Sequence, residues 1–220
     1  MIDIKSLPVP VKDAKPTELD DAQVFKVASS MSQWGYRFSE ESAEALTTVM
    51  SGISVMLLGN CGTGKSLFFK ALSEYTDGRE RCTGNPIHPY KFAVVRMGLA
   101  SMMPSDELLA FLDKHQRVDF VVDDICTEHT ATDYGRKYET LEQILDYREY
   151  TSAKTHIIAN VDEGEILQRY GARTLDRIHF TKPIRFKGES MRSVDTPHIP
   201  ITSTDWYRVF GIWKDRYAED

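Results

Sequence analysis

The octapeptide Gly59-Asn60-Cys61-Gly62-Thr63-Gly64-Lys65-Ser66 constrains this chain more than any other stretch. It satisfies the spacing G-x-x-x-x-G-K-[ST], follows the apolar run Ser54-Val55-Met56-Leu57-Leu58 and leads into a helical pattern. A loop of this kind wraps phosphate oxygens so closely that side chains would collide, and several of its residues need φ values that only glycine adopts cheaply. Its backbone N–H groups, and the unpaired ones that open the following helix, point at the same anion. Gly59, Asn60, Cys61, Gly62, Thr63, Gly64, Lys65 and Ser66 are therefore candidate nucleotide-binding residues. Lys65 would reach the β and γ phosphates, and the Ser66 hydroxyl would ligate Mg²⁺, so ATP and Mg²⁺ are the expected ligands.

Such a loop joins a buried strand to a helix, and the rest of the chain repeats that alternation. Strands are predicted over Ile53 to Leu58, Phe92 to Met97, Val118 to Val122, His156 to Ala159 and Ile184 to Phe186. Helices are predicted near Ser66 to Tyr75, Ser105 to His115, Tyr138 to Tyr150 and Glu163 to Tyr170, the last opened by Asp162-x-x-Glu165 and closed by Gly171. Two more precede the loop, one from about Asp20 to Trp34 and one from Ser39 to Gly52. Pro8, Pro10 and Pro16 predict an extended arm, and Thr76 to Pro89 lacks any period and reads as a loop. This is an α/β fold with a parallel sheet. Three regions follow: residues 1–50 as arm and helices, 51–192 as the core, and 193–220 as a tail with Trp206, Val209, Phe210, Trp213 and Tyr217 on one helical stripe.

A phosphate loop needs a second acidic group for the metal, delivered from the end of another parallel strand. Val118-Asp119-Phe120-Val121-Val122-Asp123-Asp124 supplies it. Asp123 would hold Mg²⁺ through water, and Asp124, turned toward the γ phosphate, would orient the attacking water.

From Asp123-Asp124-Ile125 onward the sequence resembles the AAA+ ATPases, specifically the DnaC/DnaI-type replicative helicase loaders and the related IstB-like transposition ATPases. Thr155-His156-Ile157-Ile158-Ala159-Asn160 is similar to the sensor-one strand, and Ile166 to Ile178, with its Tyr-Gly-x-Arg-x-x-x-Arg core, to the arginine-finger box. Lys187-Gly188-Glu189-Ser190-Met191-Arg192 resembles the closing segment, with Arg192 in the sensor-two position. The likeness spans roughly Ser51 to Arg192. It implies an AAA+ type P-loop NTPase with a parallel five-stranded sheet flanked by helices. Only the 28 residues 193–220 follow Arg192, too few for a complete helical lid.

It also implies roles. Asp124, Asn160 and an arginine become the catalytic candidates, and Arg192 joins the nucleotide-binding set. Alignment of the box favours Arg177 as the finger, with Arg173 second; a guanidinium suits charge on a transferring phosphoryl and can come from a neighbouring copy. AAA+ enzymes usually carry Glu where Asp124 stands, while helicase loaders and initiators often share this Asp, and the shorter side chain suits slow hydrolysis. The implied activity is a slow ATPase that loads or regulates a replicative helicase and forms a homo-oligomer through a trans arginine. The alternatives are an IstB-like transposition ATPase and a nucleotide-binding adaptor with negligible hydrolysis. A small-metabolite kinase is disfavoured, because paired aspartates and an arginine box suit water attack better than an acceptor pocket.

Charge and cysteine usage narrow the setting. Lys and Arg total 27 against 33 Asp and Glu, a net charge of −6, which argues against coating nucleic acid by bulk charge. A local cluster of Arg79, Arg81, Lys91, Tyr90 and Phe92 keeps single-stranded DNA as a candidate partner. The three cysteines lack a C-x-x-C spacing and suit a reducing cytosol, and no apolar run is long enough for a membrane helix. A cytoplasmic protein is expected, and no membrane partner.

Overall fold

The computed structural model describes residues 19–80, 83–128, 131–133, 136–188 and 190–191, with the backbone alone for 131–133 and 136–138. The proline-rich arm, Cys82, Arg81, Arg192 and the aromatic stripe of the tail lie outside the described residues.

Helix α1, Asp21–Gln33, starts on Asp20, whose carboxylate accepts the Ala22 N–H at 3.1 Å, and it buries Val24, Val27, Ala28 and Met31 at helical spacing. Helix α2, Glu40–Met50, opens on a capping box in which Ser39 and Ser42 each accept the other's backbone N–H. Strand β1, Val55–Gly59, then alternates. Val55 and Leu57 share one core with α1, α2 and helix α3, Lys65–Ser73, while Met56 and Leu58 face a second core on the other side. Burial on both faces is what makes this strand a continuous apolar run.

The remaining order is β2 Phe92–Arg96, α4 Met97–Ala100, α5 Ser105–Lys114, β3 Asp119–Ile125, β4 Ala131–Asp133, β5 Arg136–Tyr138, α6 Thr140–Glu149, β6 Thr155–Ala159, α7 Glu163–Tyr170, α8 Ala172–Ile178 and β7 Lys182–Phe186. Five strands form one parallel sheet in the order β2-β3-β6-β1-β7, with helices on both faces, as expected for the fold class. All their C-terminal ends meet along one edge, where ligands of such sheets bind. At the opposite edge the buried Arg148 guanidinium ties strand starts together. It donates to the Thr155 hydroxyl at 3.0 Å, the Val118 carbonyl at 3.1 Å and the Lys154 carbonyl at 2.9 Å.

The elements differ from expectation in four places. The strand expected over Val118 to Val122 runs on through Ile125. Met97, read as the end of β2, is instead the first residue of the one-turn α4 and is fully buried. Tyr138, read as the start of a helix, lies in the antiparallel β4–β5 pair, whose strands are too short to show alternation in sequence. Helix α7 stops at Gly171, φ +81°, as expected, but a further helix, α8, absent from the predicted set, follows it at once. Among the described residues no helix is long and apolar enough to cross a membrane.

Candidate functional site

The phosphate-loop motif spans the end of β1, the turn 60–64 and the start of α3. Gly59 must be glycine twice over: it has φ +132°, and a Cβ there would stand 2.3 Å from the Phe186 carbonyl oxygen on β7. Gly64, at φ +92°, is the N-cap of α3, so the first N–H groups of a nine-residue helix open into the loop. Asn60 contributes its carbonyl, which accepts the Thr63 hydroxyl at 2.9 Å. Cys61 is exposed. The Lys65 ammonium is 3% exposed and lies along the loop's own backbone, donating to the carbonyls of Gly59 at 2.7 Å and Asn60 at 2.8 Å. The donor chemistry fits a nucleotide phosphate: a glycine loop packed too closely against Phe186, Ser190 and Met191 to carry side chains, a helix start and a lysine ammonium lie together.

Beside the loop stands the acidic end of β3. Val122 pairs with Ile157 and Ile125 with Ala159, so β3 carries one residue more than β6 across this stretch, a β-bulge. The bulge breaks the strict alternation of side chains. Asp123, 3% exposed, accepts the Ser66 hydroxyl at 3.0 Å, and Asp124 accepts the Asn160 side-chain N–H at 2.6 Å. Asn160 stands at the end of β6, the neighbouring strand. Burial, and then the Asp124 carboxylate, raise the pKa of Asp123 despite the Ser66 hydroxyl and the Arg96 charge. A divalent cation would relieve both penalties, so the donor set of a hydroxyl and a carboxylate fits Mg²⁺.

The turn after Asp124 is strained. Asp124 has φ +58° and Cys126 φ +70°, values that side-chain-bearing residues adopt at a cost. The Thr127 hydroxyl donates to the Asp124 carbonyl at 2.6 Å, and the Cys126 N–H donates to the Tyr170 hydroxyl at 2.8 Å. Tyr170 in turn donates to the Glu128 carboxylate, which is 5% exposed. Burial and the neighbouring Glu128 carboxylate push the Tyr170 hydroxyl pKa well above the ordinary tyrosine range, so it stays protonated. Burial likewise pushes the Cys126 thiol up to about 11. Sequence reasoning missed both residues: Tyr170 lies in a named helix and Glu128 in no named segment, and nothing local says that residues so distant in the chain meet.

Of the two arginines of the box, Arg177 is placed apart from this edge. Arg173 and Arg177 both lie in α8; Arg173 is exposed, and Arg177 forms an ion pair with Asp146 of α6. Arg177 lines a surface cavity of about 680 Å³ together with Ser54, Arg148, Lys154 and Phe180. Ser54 precedes β1 and Lys154 precedes β6, so this cavity is at the strand starts, a strand length of about 15 Å from the phosphate loop. Arg177 is out of reach of a nucleotide bound in its own chain. Of the basic and aromatic cluster, Arg79 donates to the Gly84 carbonyl at 2.9 Å, and Tyr90 and Phe92 pack against the core rather than standing free for base stacking. Lys91 is exposed.

No family model and no curated protein matches the sequence. Among solved structures the chain is similar to a candidate primosome component from Streptococcus pyogenes serotype M3, at 16% identity over 81% of this chain and 86% of that one, with a TM-score of 0.45. It is similar to DnaI at 17% identity, covering 87% and 94%, with a TM-score of 0.46. It is similar to the DnaC helicase loader at 16% identity, covering 80% and 96%, with a TM-score of 0.43.

Proposed function

We propose that this chain is a cytoplasmic AAA+ protein that binds ATP with Mg²⁺, hydrolyses it slowly, and with copies of itself loads or regulates a replicative DNA helicase. One observation carries the nucleotide part: along a single sheet edge, the hydroxyl that ends the phosphate loop meets Asp123 at 3.0 Å while Asp124 meets Asn160 at 2.6 Å. Magnesium, when bound, offsets charge on the phosphate oxygens. The chain's own groups do the rest. Loop and helix N–H groups and Lys65 hold the phosphates, Ser66 and Asp123 hold the cation, and Asp124 orients a water toward the γ phosphorus and takes its proton as the bond to ADP breaks. Asn160 fixes the rotamer of Asp124.

The helicase and self-assembly parts rest on the resemblance of the arginine box and sensor strand. Arg177 serves a neighbouring copy's nucleotide, with Arg173 second, and Arg192 is the sensor-two contact. Single-stranded DNA is a further candidate partner. The adaptor reading is favoured by one detail: Asp124, already shorter than the usual Glu, spends a carboxylate oxygen on Asn160. The IstB-like alternative shares every residue named here and separates only by partner, a transposase rather than a helicase, in a pull-down.

The test is a thermal melt with and without ATP–Mg²⁺, read beside phosphate release. A ligand at a hundred times its Kd stabilises by about 2.7 kcal/mol, or ~5–10 °C for a chain of this size. Lys65→Ala should lose most of that shift. An equal shift in the variant removes the phosphate-loop assignment.

A further inference from the structure

We propose that Tyr170 is a positioning residue for hydrolysis, a strut whose hydroxyl holds the strained Asp124–Cys126 turn in the geometry that aims Asp124, with Glu128 orienting the strut. The proposal rests on the hydrolytic reading given above. Cys126 at φ +70° and Asp124 at φ +58° flank Ile125, and neither conformation persists unless neighbours impose it. Two hydrogen bonds do so, one to each residue: Thr127 hydroxyl to Asp124 carbonyl at 2.6 Å, and Cys126 N–H to Tyr170 hydroxyl at 2.8 Å. The first is local. The second reaches the turn from the last residue of α7, so it ties the Cys126 side of the turn to that helix, while Asp124 itself is tied to β6 through Asn160.

A tyrosine hydroxyl can accept from Cys126 N–H while donating once, and its one proton goes to Glu128. That direction fixes the ring. The other Glu128 oxygen is buried and lacks a hydrogen-bond partner among the described residues, a cost that a purely structural site would be expected to avoid. The Arg169 guanidinium sits 4.9 Å from the Tyr170 ring centroid and bonds Glu139 at 3.1 Å, holding the ring from the other side. Tyr170 is also the residue immediately before Gly171, where the arginine-bearing α8 begins, so the turn is pinned from within the arginine box. Lys65 bonds the Gly59 and Asn60 carbonyls and Ser66 bonds Asp123, contacts that lie within the phosphate loop and the strand end beside it, and nucleotide binding should not depend on Tyr170.

Tyr170→Phe removes the hydroxyl but leaves Glu128 buried with no donor, so it is paired with Tyr170→Phe/Glu128→Met, in which both buried polar side-chain groups are gone and only the Cys126 N–H loses its partner. Three readouts are taken on the full chain: ATP–Mg²⁺ affinity, phosphate release at saturating ATP, and amide exchange across residues 124–128. The double variant should bind ATP within twofold of wild type and melt within a few degrees of it, yet release phosphate at least tenfold more slowly, with faster exchange at 124–128 and unchanged exchange across 59–66. Combined with Asp124→Asn, the double variant should be no slower than Asp124→Asn alone, since Tyr170 acts through Asp124. Wild-type turnover in the stable double variant overturns the proposal, as does an additive loss with Asp124→Asn or unchanged exchange at the turn. If wild type itself releases no phosphate, the hydrolytic reading fails and the strut's catalytic role fails with it, while exchange still decides whether Tyr170 holds the turn.

Discussion

His156 makes the stability of this fold depend on pH in a way that can be isolated. The side chain is fully buried beside Phe69 and Phe92, at ring-centroid distances of 5.0 and 5.7 Å, and its Nδ1 accepts the Val55 N–H at 3.2 Å. That acceptor role requires the neutral ring. Burial, and then the Lys154 and Arg148 charges, lower its pKa from 6.5 to about 3. Below 6.5 the unfolded chain takes up a proton that the folded chain refuses, so the contribution is fully present above pH 6.5 and is lost as pH falls toward 3. At pH 5 the gap is one and a half pH units below the unfolded value, or about 2 kcal/mol; the full loss at very low pH approaches ~5 kcal/mol. Urea melts at pH 7 and pH 5 on wild type and His156→Gln share every other titrating group. Wild type should lose about 2 kcal/mol more between the two pH values than the variant does. The variant starts lower at pH 7, by roughly 1–3 kcal/mol for the disturbed Val55 N–H and the repacked rings. An equal pH-dependent loss in both proteins would refute the buried neutral histidine.

The aspartates should separate by assay: Asp124→Asn keeps ATP binding and lowers phosphate release, whereas Asp123→Asn, which removes the carboxylate facing Ser66 at 3.0 Å, weakens the Mg²⁺-dependent part of binding. Arg177→Ala should bind ATP normally and hydrolyse it slowly, and mixing it with Lys65→Ala should recover activity that neither shows alone; a mixture that co-assembles and stays inactive rules out action between copies. Gly59→Ala should cost ~3 kcal/mol or more, because its Cβ meets the Phe186 carbonyl at 2.3 Å in a conformation that already disfavours a side chain, and a urea midpoint unchanged from wild type would contradict the close β1–β7 approach.

What could be read from the residues was whatever has a short-range cause. The phosphate loop declares itself because the glycines, the lysine and the flanking apolar run are consecutive. Helices α2 and α7 declare their starts because both ends of each capping box lie within one turn. The end of β3 was misjudged at Val122, since two aspartates look like a turn; the strand continues because a bulge on β3 lets both carboxylates reach the same edge while Ile125 returns to the core. The β4–β5 pair is too short to carry a period, and Gly171 marked the end of one helix without announcing the next. The Tyr170–Glu128 contact has no local signature at all. It exists because the sheet order sets α7, which follows β6, next to the turn that follows β3.

Because β3 carries one residue more than β6 between Val122 and Ile125, the two carboxylates are addressed by chain length as well as by residue type. Asp124→Glu preserves the count and lengthens one arm. Deleting Asp123 or Asp124 does something else: it closes the ladder and restores strict alternation, with Ile125 still opposite Ala159 on the face it shares with Val122. Whichever aspartate survived would face alone the partners that two now share, and the contact to Ser66 or the contact to Asn160 would be lost. This stretch should therefore tolerate conservative exchange far better than it tolerates insertion or deletion, and indel scanning would mark its boundaries more sharply than alanine scanning.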